Sequence, residues 1–103
     1  MSPADPSTLS AAILVWTGWD TSSAWPARDD ARLVGRVGAE LAGSLLPRIK
    51  ELEAEFYSSN ARYVAKNIKE MGDLAASSFQ KEHPEISAAA VEAFAWCYTY
   101  DFK

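Results

Sequence analysis

Apolar residues at helical spacing constrain this chain more than any other feature. Leu33, Val37, Leu41 and Leu45 recur at steps of four, and Ile49, Leu52 and Phe56 carry the stripe past Pro47. A second stripe runs through Val64, Ile68, Met71, Ala75 and Phe79. Side chains three and four apart share one helix face, whereas a half-buried strand needs strict alternation. No stretch shows convincing alternation of that kind. The pattern predicts an all-α fold.

Start and stop signals divide the stripes into helices. Asp5 can cap and Pro6 can take the first helical position, where a missing N–H costs nothing. Leu9, Ile13 and Trp16 follow at helical spacing, and Gly18 can close the helix in a left-handed conformation. The first helix is therefore expected over 6–17. The second is expected over 27–46, with Asp29 and Asp30 favoured by the dipole at its start. At Pro47 the ring removes one hydrogen bond and crowds the carbonyl four residues back, so a kink or break is expected there. The kink is preferred because the apolar phase survives it. A third helix is expected over 60–82, before Pro84, and a fourth over 88–99, with Ser87 as its cap. Gly35, Gly38 and Gly43 inside the second helix suggest close approach of a neighbouring helix. Leu41, Ile68 and Phe94 sit mid-stripe and should be buried. About four helices with short connections make a single-domain bundle over 1–103.

A chain of 103 residues suits one domain, and its 49% apolar content supplies the core. The net charge is −4, so nucleic acid and anionic membrane are poor partners. The charge is uneven. Residues 1–50 hold five acids and five bases, and residues 51–103 hold nine acids and five bases. The second half would suit a basic partner, although a solvated acidic face is the commoner reason for such a bias. Cys97 is the one cysteine, so an intramolecular disulfide and a cysteine metal cluster are excluded. That usage fits a reduced, cytoplasmic setting. The apolar run "AAILVW" is too short for a signal peptide or a membrane span.

Little in the sequence points to catalysis, a metal or a cofactor. His83 is the one histidine, with only Glu82 and Glu85 beside it, and reads as a solvated helix-end residue. No nucleophile elbow is present. "GRVG" lies inside a helix, not between a strand and a helix, so it is no phosphate loop. Glu51 and Glu55, with Arg48 and Lys50, read as a charged helix face. Cys97 reads as a small core residue.

Binding is better represented. "WTGWDTSSAWPARDD", residues 16–30, joins the first two helices and holds three tryptophans. Trp16 belongs to the first helix and should be core. Of Trp19 and Trp25, at least one should lie mostly buried over the bundle end. Trp19, Asp20, Trp25, Arg28 and Asp29 are the candidate binding residues here, because tryptophan and arginine dominate binding hot spots. Trp96, Tyr98, Tyr100 and Phe102 form a second aromatic group. One helix face cannot bury all four, so Tyr100 or Phe102 must pack elsewhere or meet solvent, and Tyr98 and Tyr100 join the candidates.

"WPARDD", "LLPRIKELEAEFY" and "HPEISAAAVEAFAWCYTYDFK" resemble stretches of small bacterial helical proteins, the last of them the C-terminal ends of immunity-type proteins. The resemblance implies a bacterial cytosolic accessory protein that neutralises or regulates another protein by stoichiometric binding. No site residue transfers with it. The expectation is a protein-binding module with a protein partner, basic in character. The alternatives are a small enzyme using Asp20, Asp29 or His83 near the 19–30 loop, and a self-associating structural subunit forming a homo-oligomer.

Overall fold

The computed structural model describes residues 5–19, 26 and 28–102. These residues form six helical segments and no strand: α1 (Pro6–Thr17), α2 (Asp30–Val37), α3 (Ala39–Tyr57), α4 (Ala61–Val64), α5 (Ile68–Glu82) and α6 (Ala88–Phe102). No helix among the described residues is long and apolar enough to cross a membrane.

The start of the chain follows its local signals. The Asp5 carboxylate accepts from the Ser7 backbone N–H at 2.9 Å, with Pro6 at the head of α1. Gly18 ends α1 at φ 84°, a left-handed angle that favours glycine. α2 starts later than the expected residue 27, because Asp29 is extended and stands outside the helix as its cap, accepting from the Arg32 N–H at 3.2 Å.

The middle departs from expectation. The interruption falls at Gly38, not at Pro47, because Gly38 adopts φ 94° and leaves the helical region. α3 then runs without a break through Pro47. Leu45, Ile49 and Leu52 are fully buried on either side of the proline, while Pro47 itself faces solvent. The Gly43 carbonyl, which loses its donor to Pro47, is on an exposed residue where water can replace it. Gly35 and Gly43 have no neighbouring side chain or element where a Cβ would stand, so close helix approach is not their reason.

The expected third helix is also divided. Residues 65–67 leave the helix, and Asn67 restarts it as the cap of α5, accepting from the Glu70 N–H at 2.8 Å. This changes the facing of the residues around the break. Ile68, expected in the core, is 51% exposed. Leu41 is only partly buried, whereas Phe94 is fully buried as expected.

α6 packs against α1, α3 and α5, so most of its circumference is covered. Ala90, Ala93, Phe94, Cys97 and Tyr98 are fully buried. That explains an apolar composition with little amphipathic contrast. Helical structure extends past Tyr98 to Phe102, three residues beyond the expected end. The core centres on Phe56, whose ring meets Phe79, Phe94 and Tyr98 at centroid distances of 5.2, 5.8 and 5.6 Å.

Candidate functional site

Three places gather chemistry on this frame. The first surrounds Arg28. Its guanidinium Nη1 donates to the Tyr57 hydroxyl at 2.9 Å and to Asp101 Oδ2 at 3.1 Å, and approaches Glu53 Oε2 at 3.4 Å. The Tyr57 hydroxyl donates in turn to the same Asp101 oxygen at 2.5 Å. The group thus joins the return of the first loop to α3 and α6. Burial raises the Tyr57 pKa, and the hydrogen bond to Asp101 raises it further. Burial also raises the Glu53 pKa, against the pull of Arg28. For Arg28, burial works against its charge, but the carboxylates and Tyr57 outweigh it and hold the cation. Beneath lies Cys97, fully buried, its thiol pushed up to about 12 by burial. A thiol so held supplies no nucleophilic thiolate near neutral pH.

The second is a groove of about 650 Å³ between α3 and α5, with Phe56 and Phe79 in its lining and Glu55, Glu82 and His83 along it. His83 is not solvated as expected. Its side chain is 13% exposed, its ring lies 4.7 Å from that of Phe79, and its two nitrogens face Glu55 and Glu85. Ser58 donates its hydroxyl to the Glu55 backbone carbonyl at 2.6 Å, and the Ser59 hydroxyl accepts from the Ala61 N–H at 3.2 Å. Carboxylates therefore occupy the positions a nucleophile would need at the imidazole. Among the described residues no three His, Cys, Asp or Glu side chains converge as metal ligands.

The third is a smaller groove of about 220 Å³ where the end of α1 meets α5 and α6. Trp19 stands edge-on to Trp96 with ring centroids 5.3 Å apart, an arrangement favoured by the ring quadrupoles. Ile68 completes the apolar wall, Gly72 and Ala95 add small residues, and Lys69, Asp73 and Glu92 supply charge.

The sequence-derived residues divide among these places. Trp16 is core, and its indole Nε1–H donates to Asp30 Oδ1 at 2.8 Å. Trp19 is 38% exposed and lines the small groove, not a buried cover over the bundle end. Asp20 and Trp25 lie outside the described residues. Arg28 is engaged within the fold, and Asp29 is a helix cap whose N–H donates to the Trp16 carbonyl at 3.0 Å. Tyr98 does not reach the surface. It is fully buried, accepts from the Arg62 N–H at 3.1 Å and donates to the Ser59 carbonyl at 3.3 Å. Tyr100 and Phe102 both meet solvent. Glu53, Tyr57, Asp101, Ile68 and Glu92 were missed. The first three have no local signal linking them to Arg28, from which they stand 25, 29 and 73 residues away. Glu92 and Trp96, one turn apart, could have been noticed as an exposed carboxylate beside a half-buried indole.

No protein-family model, no curated protein and no solved structure matches this chain.

Proposed function

We propose that this chain acts by stoichiometric binding to another protein, and that the Trp19–Trp96 groove lies within its contact surface. The accessible edge-to-face pair of tryptophans carries this reading. Large apolar side chains open to solvent beside charged ones are the composition of an interface centre with its rim. Trp19 and Ile68 both line the groove and both remain exposed, so apolar area stays available for burial. The chain's net charge of −4 supports a basic partner through complementary potentials. In its specific form the reading is an immunity-like or regulatory protein that neutralises a basic toxin domain.

The test is co-purification of the tagged chain from its native host, followed by calorimetric titration of each purified partner. A saturable complex at one-to-one stoichiometry is expected. Recovery of no partner, together with self-association at micromolar concentration in sedimentation, would replace this reading with the structural-subunit one.

A further inference from the structure

We infer that the Trp19–Trp96 groove receives one apolar side chain of the partner with a lysine or arginine of that partner beside it. This rests on the binding reading above and specifies the chemistry that the groove selects. Size comes first. About 220 Å³ is below the range of drug-sized ligand pockets and suits a single large side chain. Shape agrees. Trp19, Trp96 and Ile68 stand as apolar walls, and the floor is made of small groups: Ala95, and Gly72 with the Thr99 methyl packed against it.

Charge then selects the neighbour. Two of the three charged residues at the groove are already paired, with Lys69 Nζ donating to Asp73 at 2.8 Å. The third, Glu92, is exposed and stands one turn before Trp96 on the same helix face. Its helical neighbours Ala88, Ala89, Ala95 and Trp96 are all apolar, and α6 contains no lysine or arginine within Ala88–Phe102. Among the described residues nothing pairs with Glu92. The groove therefore carries one unmatched negative charge within one helical turn of its aromatic wall. An ammonium or guanidinium about that distance from an apolar anchor would satisfy both.

The probes are hexylammonium, hexanol and hexanoate, three six-carbon chains that differ at the head group. Each is titrated into isotopically labelled full chain, and the indole and backbone amide signals are followed by NMR. Saturable shifts at Trp19, Gly72 and Trp96 are expected, with hexylammonium binding about threefold or more tighter than the other two, as an exposed ion pair allows. Glu92→Lys should reverse the order of hexylammonium and hexanoate. Ile68→Ser, at an exposed wall position that does not threaten the fold, removes apolar wall without adding charge and should weaken all three probes. Equal affinities for the three head groups, or an order unmoved by Glu92→Lys, would overturn the choice of a basic neighbour. Shifts and affinities unchanged in Ile68→Ser would overturn the groove itself. If a co-purified partner binds Glu92→Lys as tightly as the native chain but binds Ile68→Ser more weakly, this inference fails and the binding reading stands; equal binding of both variants also removes the groove from the contact surface. If the probes behave as expected but no partner is recovered, the binding reading fails and the groove chemistry stands.

Discussion

The indole of Trp16 donates to the carboxylate of Asp30 at 2.8 Å, tying the last turn of α1 to the first turn of α2 across the intervening loop. Lys50 of α3 reaches the other oxygen of the same carboxylate at 3.0 Å. The two contacts, that of Trp16 foremost, hold the Asp30 pKa below the usual carboxylate range. A lowered folded-state pKa stabilises the fold above the unfolded value, about 3.9 for aspartate, and that stability disappears as pH falls through the folded value. Thermal melting between pH 7 and pH 2.5 should therefore fall less steeply for Asp30→Asn than for the native chain. Parallel curves would show that the carboxylate adds nothing through its charge.

Arg28→Ala should lower stability, because the guanidinium is held by Tyr57, Asp101 and Glu53 within the fold. Removing the guanidinium leaves Asp101 and Glu53 without their shared cation. The pair is partly exposed, so the loss should be about 1 kcal/mol and not the value for a buried pair. Chemical denaturation of the single variants and of Arg28→Ala with Asp101→Ala measures it. Additive losses would mean that the two residues do not act together.

Glu53→Gln should stabilise the fold at neutral pH relative to pH 4. Burial raises the pKa of Glu53. A raised carboxylate pKa means that ionisation disfavours the folded state. The cost is absent below the unfolded pKa and complete above the folded one. The advantage of the variant should therefore grow from pH 4 to pH 7 in melting experiments. A pH-independent difference would contradict this.

The glycines should respond with opposite signs. Gly38→Ala places a Cβ at φ 94°, and should cost about 1 kcal/mol or more. Gly43→Ala lies in mid-helix with open space around it, and should gain about 0.5–1 kcal/mol. Urea unfolding of the two variants gives both values. Matching signs would contradict the assignment of the helix break to Gly38.

Phe94→Ala should cost about 3–5 kcal/mol, because the ring is fully buried against Phe56 and Phe79. Cys97 offers a companion measurement. With its thiol raised to about 12 and fully buried, it should resist iodoacetamide at pH 8 until the chain unfolds. Prompt labelling of the native chain would mean that the Arg28 network opens readily.

The sequence by itself determined the helical class, both ends of α1, the Ser87 cap, which accepts from the Ala90 N–H at 3.2 Å, and the burial of Trp16 and Phe94. These depend on side chains and backbone groups within a few residues of each other, so local spacing suffices. Only the tertiary structure decided the rest. Pro47 stays inside a helix because Leu45, Ile49 and Leu52 are buried around it, while Gly38 breaks the chain where no large side chain opposes the turn. Ile68 leaves the core because Asn67 restarts the helix with a new facing. Arg28 meets a hydroxyl and two carboxylates from α3 and α6, and Trp19 meets Trp96 across most of the chain's length. Such pairings depend on how the helices pack. No local pattern encodes them, because the attraction of a tryptophan or an arginine for its partner is the same at any sequence separation.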